Sequence, residues 1–254
     1  MSEKSHVRFT EGTVVKSGPP ALMRIEVEKT RRARLIGKDS GLFRVPKVLD
    51  YDDIRGVAVY ERIVGIRPLR RAVSWGRDYR ALAERIGTSL AAIHRDLILP
   101  KEMIIPLPAE FAAVGHDVFL HGDPSVENIF LDRDSATLVF LDWQMTGVHG
   151  GQATYGCRYF DVLWFVNNLL WTPTLRHLVG DPVRPVARRF LASYHRAANI
   201  PYDAKGLGGY AERFFTAKLP LRGESSRRER LFVPRGRALT RRFIRDLERG
   251  CFHG

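Results

Sequence analysis

Apolar positions recur along this chain in two rhythms. In the first third they alternate in short runs. Val7–Phe9 and Thr13–Lys16 read as strands separated by Glu11-Gly12, and Val45–Tyr51 and Val57–Ile63 as two more, joined by the turn Asp52–Gly56. Between these pairs, Ser17-Gly18-Pro19-Pro20 breaks the chain, and the spacing predicts a helix over Leu22–Ile36 with Pro20 in its first turn and Gly37 beyond its end. Past residue 71 the steps lengthen to three and four. Tyr79, Leu82, Ile86, Leu90, Ile93 and Leu97 predict an amphipathic helix with Asp78 as N-cap and Pro100 as stop. A hairpin interrupts at Val118–Leu141. Helices follow at Phe160–Leu170, at Val183–Ala198 and at Arg237–Glu248, the last with Leu239, Phe243, Ile244 and Leu247 turned inward. The expectation is an α+β chain with a small β-rich lobe over residues 1–64 and a larger helical lobe over 65–254, and a ligand cleft between them.

Composition narrows the class. With 44% hydrophobic and 27% charged residues, the 254-residue chain is a globular sequence and not a disordered or collagenous one. Cys157 and Cys251 cannot build a disulfide scaffold, and no Cys/His spacing suggests zinc. The N-terminus has no apolar signal core, and Phe160–Trp171, broken by Asn167 and Asn168, is too short to span a bilayer, so a cytoplasmic protein is expected. The unusual quantity is a net charge of +13, which fits partners rich in phosphate. Between Arg222 and Arg249, ten arginines face only Glu224, Glu229, Asp246 and Glu248. A solvated helical face and an anion-binding surface both account for this segment.

The hairpin carries the most specific signal. His121, Asp123 and Asn128 lie on the loop ahead of the apolar run Ile129–Leu131, and a second run, Leu138–Leu141, ends at Asp142-Trp143. Pairing of the two runs brings Asn128 near Asp142, with Asp123 on the adjoining loop. An amide oxygen and two carboxylates form a hard-oxygen set suited to Mg²⁺ on phosphates.

At these residues the sequence resembles the aminoglycoside phosphotransferase and choline kinase family, a branch of the protein-kinase-like fold. His121-Gly122-Asp123, four residues, Asn128, and then Asp142-Trp143 fall in the register of that family. The resemblance implies a two-lobed kinase-like fold using ATP or GTP and Mg²⁺. Asp123 would accept the proton of the attacking hydroxyl or orient it. Asn128 and Asp142 would hold the metal ions that bridge the nucleotide phosphates, and His121 would pin the loop. A strand lysine paired with a glutamate on the next helix also belongs to this fold. Lys16 ends the second strand, and of Glu26 and Glu28 the helical wheel favours Glu28, which falls between Leu35 and Ile25. The run Val57–Gly65 resembles the strand into the interlobe hinge, where the backbone of Glu61–Ile63 would meet the adenine. Gly87–His94 resembles the helix before the catalytic loop, with His94 a structural residue. Arg158-Tyr159-Phe160-Asp161 resembles the start of the following helix, where Asp161 would cap the helix and brace the loop.

Kinase-like folds place two strands and a phosphate-covering loop ahead of the lysine strand. Only fifteen residues precede Lys16, so that cover is expected to be shortened or absent. This departure keeps open a pseudokinase or nucleotide-binding scaffold acting through its basic surface. Gln144 stands where many relatives carry an acidic residue. The positive charge disfavours polycationic acceptors and favours a neutral or anionic small-molecule hydroxyl acceptor, such as a sugar, a phosphorylated metabolite or a glycolipid headgroup. Tyr155, Trp164 and Trp171 are available either to stack on a sugar or to pack the core. Arg222–Arg249 could face an anionic membrane surface. Nucleic acid is the less favoured partner, because no reading motif accompanies the arginines.

Overall fold

The computed structural model describes residues 6–71, 79–113, 117–133, 135–145, 152–172, 183–218 and 227–252. Asp78, expected as a helix cap, and residues 222–226 of the basic segment lie outside them.

The alternating runs near the N-terminus form an antiparallel sheet in the order β1-β2-β5-β4, from β1 (His6–Phe9), β2 (Thr13–Ser17), β4 (Val48–Asp52) and β5 (Val57–Glu61). Among the described residues β1 is the one strand ahead of β2, and it is exposed along its length. In the β2–β5 register Lys16 pairs with Ala58 and Val14 with Tyr60, so these four side chains share one face of the sheet. Helix α1 (Pro20–Ser40) covers that face, packing Met23 and Val27 on Ala58 and Tyr60.

Pro20 opens α1 as expected, but the helix does not stop before Gly37. It runs on to Ser40 and closes on Gly41, whose φ of 67° is the left-handed cap glycine tolerates best. Gly37 answers a different need. A Cβ there would stand 2.5 Å from the carbonyl oxygen of Phe43, so the absence of a side chain lets α1 touch the strand that follows.

That strand, β3 (Phe43–Arg44), joins a second sheet of order β3-β9-β8-β6, with β6 (Ile66–Pro68), β8 (Ile129–Asp132) and β9 (Leu138–Phe140). It runs parallel to β9, while β8 and β9 form the expected antiparallel hairpin. Residues 43–44, which a division at residue 64 assigns to the first lobe, thus sit in the sheet of the second. The apolar cluster follows suit: Ala33 and Ile36 of α1 and Phe43 pack with the large helical core, not with Met23 and Val27. A short pair of strands, β7 (Asp117–Phe119) and β10 (Tyr155–Cys157), flanks the hairpin in sequence.

The helical lobe contains α2 (Tyr79–Asp96), α3 (Tyr159–Trp171), α4 (Val183–Ala198), α5 (Ala204–Lys218) and α6 (Arg227–Glu248). Two of these bounds depart from the sequence reading. Helix α5, with Leu207, Tyr210, Ala211, Phe214 and Phe215 inward, was not foreseen, and α6 begins at Arg227 and carries Pro234 inside it. Helices α2 and α4 touch at Gly87, where a Cβ would meet Ser193 Oγ at 2.2 Å and the Phe190 carbonyl oxygen at 2.5 Å. Helix α3 is buried along nearly its whole length, as its predominantly apolar sequence requires, and Phe160 and Trp164 meet Phe214 of α5 edge to face. No helix among the described residues is long and apolar enough to cross a membrane.

Candidate active site

The loop between β7 and β8 is held from below by one carboxylate. Asp161, in the first turn of α3 and fully buried, accepts hydrogen bonds from the backbone N–H groups of His121 (2.6 Å) and Gly122 (3.0 Å). Its third bond, 3.0 Å, is to His94 Nε2 on α2, whose Nδ1 lies 2.7 Å from the Tyr194 hydroxyl. His94 is therefore satisfied on both ring nitrogens, as a structural histidine should be. Of the two roles expected for Asp161, only the bracing is present. Arg158, whose side chain has no acceptor, occupies the N-cap position of α3 with no side-chain capping bond, and the Asp161 carboxylate is taken up by the loop and His94. Burial opposes its ionisation, but the bond to His94 and the nearby Lys29 outweigh it and hold its pKa below the ordinary carboxylate range.

His121 occupies the centre of this loop. Its Nδ1 accepts the Asp123 backbone N–H at 3.2 Å, and its ring lies on Trp143, centroids 4.3 Å apart. Burial pushes its pKa down to about 3, so the ring is neutral and the proton stays on Nε2. Gly122, at φ 96°, provides the turn between them, and a Cβ there would crowd the Met145 backbone at 3.0 Å.

Asp123 is gripped at both oxygens. Asn128 Nδ2 donates to Oδ2 at 2.8 Å and to the Asp123 carbonyl at 3.2 Å, and Trp164 Nε1 donates to Oδ1 at 2.5 Å. Trp164 is 5% exposed and so packs in the core while its indole nitrogen reaches the site. Sequence reading weighed it only for sugar stacking or packing. The available signal was its position one helical turn beyond Asp161, which places both side chains on the face of α3 that meets the loop.

Asp142 ends the hairpin. Its backbone is left-handed, φ 55°, a conformation Asp tolerates better than most residues. The Leu141 N–H donates to the Asn128 carbonyl at 2.9 Å, which holds the ends of the two strands together as the hairpin register predicts. The Asp142 carboxylate, 43% exposed, accepts from Lys16 Nζ at 2.7 Å.

The second partner of Lys16 is Glu26, at 2.9 Å to Oε1 and 2.8 Å to Oε2, which corrects the expectation of Glu28. Glu28 lies off the site and pairs with Arg32 one turn on. The wheel misled because Leu35 was counted on the buried face, whereas it is 58% exposed. The real inward face runs through Met23, Glu26, Val27, Lys29, Thr30, Ala33 and Gly37, and half its middle is polar because it covers the site. Burial works against the Lys16 ammonium, but Glu26 and Asp142 outweigh it and raise its pKa, so the lysine stays charged. The Glu26 carboxyl is raised by burial against the opposing pull of Lys16.

The segment after β5 is fixed to the first hairpin. The Arg62 N–H donates to the Gly12 carbonyl at 3.1 Å and its guanidinium to the Thr10 carbonyl at 2.6 Å, so the β1–β2 turn rests on the strand connection where the lobes join.

A lysine and four site residues on two sheets and an intervening loop are thus gathered at the junction of a small sheet-and-helix lobe and a helical one. No protein-family model matches the sequence, and no curated protein does either. Solved structures do match. The chain is similar to a choline/ethanolamine kinase family protein from Mesorhizobium loti, at 13% identity and a TM-score of 0.57 over 96% of this chain and 89% of that one. It is similar to a macrolide 2'-phosphotransferase from Brachybacterium faecium, at 15% identity and a TM-score of 0.52 over 97% and 91%. An ADP-bound aminoglycoside phosphotransferase, APH(2'')-Ib, matches at 14% identity and a TM-score of 0.52 over 96% and 94%. At these identities the likeness establishes the architecture: the chain has the two-lobed, protein-kinase-like fold of these phosphotransferases.

Proposed function

We propose that the protein is a small-molecule kinase that transfers the γ-phosphoryl group of ATP, or GTP, to a hydroxyl group. The observation that carries this reading is the double grip on Asp123 beside the Glu26–Lys16–Asp142 chain. A carboxylate with both oxygens fixed by Asn128 and Trp164 is a positioned proton acceptor. A buried lysine shared by two carboxylates is a fixed cation, suited to phosphate oxygens. In the transfer, the bond from the γ-phosphorus to the ADP oxygen breaks, a bond to the acceptor oxygen forms, and the hydroxyl proton passes to Asp123. Lys16 would neutralise phosphate charge, and the backbone of residues 61–63 would take the base.

The donor set fits a magnesium nucleotide. Asn128 spends its amide nitrogen on Asp123, leaving its oxygen for other partners, and Asp142 presents a solvent-facing carboxylate. Both are the hard oxygen donors Mg²⁺ selects. Bound there, the ion would supply charge neutralisation on the phosphates. ADP in one protein of the same fold supports nucleotide use.

For the acceptor, the net charge of +13 favours a neutral or anionic hydroxyl compound, and the basic segment Arg222–Arg249 would suit an acceptor presented at an anionic membrane surface. The arginine-rich segment Arg222–Arg249 is what the rival reading, a nucleotide-binding scaffold acting through a basic surface, would use. Phosphorus NMR with ATP, Mg²⁺ and pooled hydroxyl metabolites separates the two. The kinase reading expects ADP and a new phosphomonoester signal, both lost when EDTA removes Mg²⁺. ADP binding without any phosphomonoester, in every pool, would support the scaffold. Reaction of polyamine acceptors alone would overturn the charge argument.

Trp164→Phe keeps the packing and removes the N–H donor. Loss of one hydrogen bond to a charged group, about 1.5–3 kcal/mol, should lower kcat roughly 10- to 100-fold while leaving the KM for ATP unchanged. Steady-state kinetics under saturating acceptor checks the split.

A further inference from the structure

Lys29 lies one turn after Glu26 on the inward face of α1 and is 1% exposed. A lysine so buried is costly unless something requires its charge or its donors. Its ammonium donates to the carbonyl oxygen of His121 at 2.6 Å, the one hydrogen bond it makes among the described residues. Burial pushes its pKa down to about 8, against the pull of Asp161, Glu26 and Asp142. One helix face therefore holds two different parts of the site. Glu26 fixes Lys16 on the small lobe, and Lys29 fixes the loop two residues before Asp123.

We propose that Lys29 is a positioning residue that fastens α1 to the catalytic loop, setting the distance between the phosphate-facing Lys16 and the proton acceptor Asp123. The role rests on the kinase reading for its effect on turnover, but not for its effect on the loop. Asp161 holds the two N–H groups at His121 and Gly122 from the α3 side, and Lys29 holds the carbonyl of His121 from the α1 side. Together they clamp the backbone between the lobes. Helix α1 cannot swing outward without stripping that carbonyl of its donor. The arrangement fixes α1 in the position that pairs Glu26 with Lys16.

The test is Lys29→Met. Methionine matches the lysine stem in shape. It removes a desolvated charge but also strips the His121 carbonyl of its donor. As these effects oppose each other, the variant should still fold, with an unfolding temperature near that of the wild type. Acceptor-saturated kcat should fall about 10- to 100-fold, the cost of a slight misplacement of the reacting groups, with the KM for ATP little changed. Propylammonium added to Lys29→Ala should recover part of the rate, and sodium at the same ionic strength should not. Hydrogen exchange in the peptide spanning residues 118–124 should quicken in Lys29→Met. Unchanged kcat and loop exchange, or a rate loss that merely follows a collapse in unfolding temperature, would overturn the proposal. If the wild type itself transfers no phosphoryl group to any acceptor or to water, the kinase reading fails. Loop exchange then decides alone: faster exchange in Lys29→Met upholds the clamp, and unchanged exchange refutes it.

Discussion

Asp161→Ala should cost the fold at least ~3 kcal/mol, a large share of the 5–15 kcal/mol by which domains are commonly stable. The carboxylate is fully buried and is the acceptor for two loop N–H groups and for His94. Removing it leaves three buried donors unpaired, each worth about 1–3 kcal/mol, and leaves Lys29 without its largest nearby counter-charge. The relief of desolvating one carboxylate offsets part of this sum. Urea denaturation reads the result as a lower midpoint at unchanged slope, and Asp161→Asn, which keeps one acceptor oxygen, should fall between. A loss under ~1 kcal/mol would mean that the loop amides find other partners. The same cluster sets the response to acid. The unfolded chain takes up a proton on His121 near its ordinary pKa of 6.5, whereas the folded ring resists until about 3. Stability should therefore fall as pH drops below 6.5, by roughly 1.4 kcal/mol per pH unit from this residue. Asp161, with its pKa held down, contributes stability above the ordinary carboxylate range that is lost only as pH falls through its lower folded value. Midpoints at pH 7 and pH 5 should differ by about 2 kcal/mol in the direction of weaker folding in acid, and His121→Phe should flatten that difference.

The hairpin of the candidate site was legible because several independent constraints coincide there. Two apolar strands, a turn and three polar residues must keep fixed spacings for Asn128 and Asp142 to meet, and the pairing of Ile129 with Phe140 realises that spacing. Helix α1 was legible as a helix but not in its facing. A wheel assumes that the inward side of a helix is apolar, and here the inward side carries Glu26, Lys29 and Thr30 because it covers a site and not a core. The rule broke where buried polar side chains face the candidate site, and the choice of Glu28 over Glu26 followed from it. Gly37 was misread for a related reason. Glycine signals both a helix stop and a close approach of backbones, and only the position of Phe43, brought in by β3 pairing with a strand nearly a hundred residues away, tells which. Trp164 and Lys29 look like a core aromatic and a surface cation in sequence. Their contacts to Asp123 and His121 span 41 and 92 residues and depend on tertiary packing alone. Helix α5 failed to register because its three glycines, Gly206, Gly208 and Gly209, argue locally against a helix. Its buried Phe214, packed against Phe111, Phe160 and Trp164, supplies the stability that local propensity does not.

The two carboxylates proposed to act in the transfer, Asp123 and Asp142, should fail in different ways when neutralised. Asp123→Asn keeps the shape of the side chain and loses the proton acceptor. Turnover should drop on the order of 10²–10⁴-fold, the usual worth of positioned general base catalysis, while titration with ADP and Mg²⁺ gives the wild-type affinity. Asp142→Asn is chosen over alanine because asparagine also tolerates the left-handed backbone at φ 55°, so the strand end should survive and the change isolates charge. Here the loss should appear in nucleotide binding as well as in turnover. The proposed magnesium site keeps only neutral oxygens, and Lys16 is left with Glu26 as its one charged partner at bonding distance. Stabilisation by such an ion is worth several kcal/mol, so turnover at fixed Mg²⁺ should fall by about 10³-fold and recover in part as Mg²⁺ is raised. The contrast is the informative part. If Asp142→Asn binds the magnesium nucleotide as the wild type does and only Asp123→Asn is impaired, Asp142 serves Lys16 and not the metal. If Asp123→Asn retains wild-type turnover while Asp142→Asn loses it, the proton leaves the acceptor without Asp123, whose double grip by Asn128 and Trp164 would then be structural.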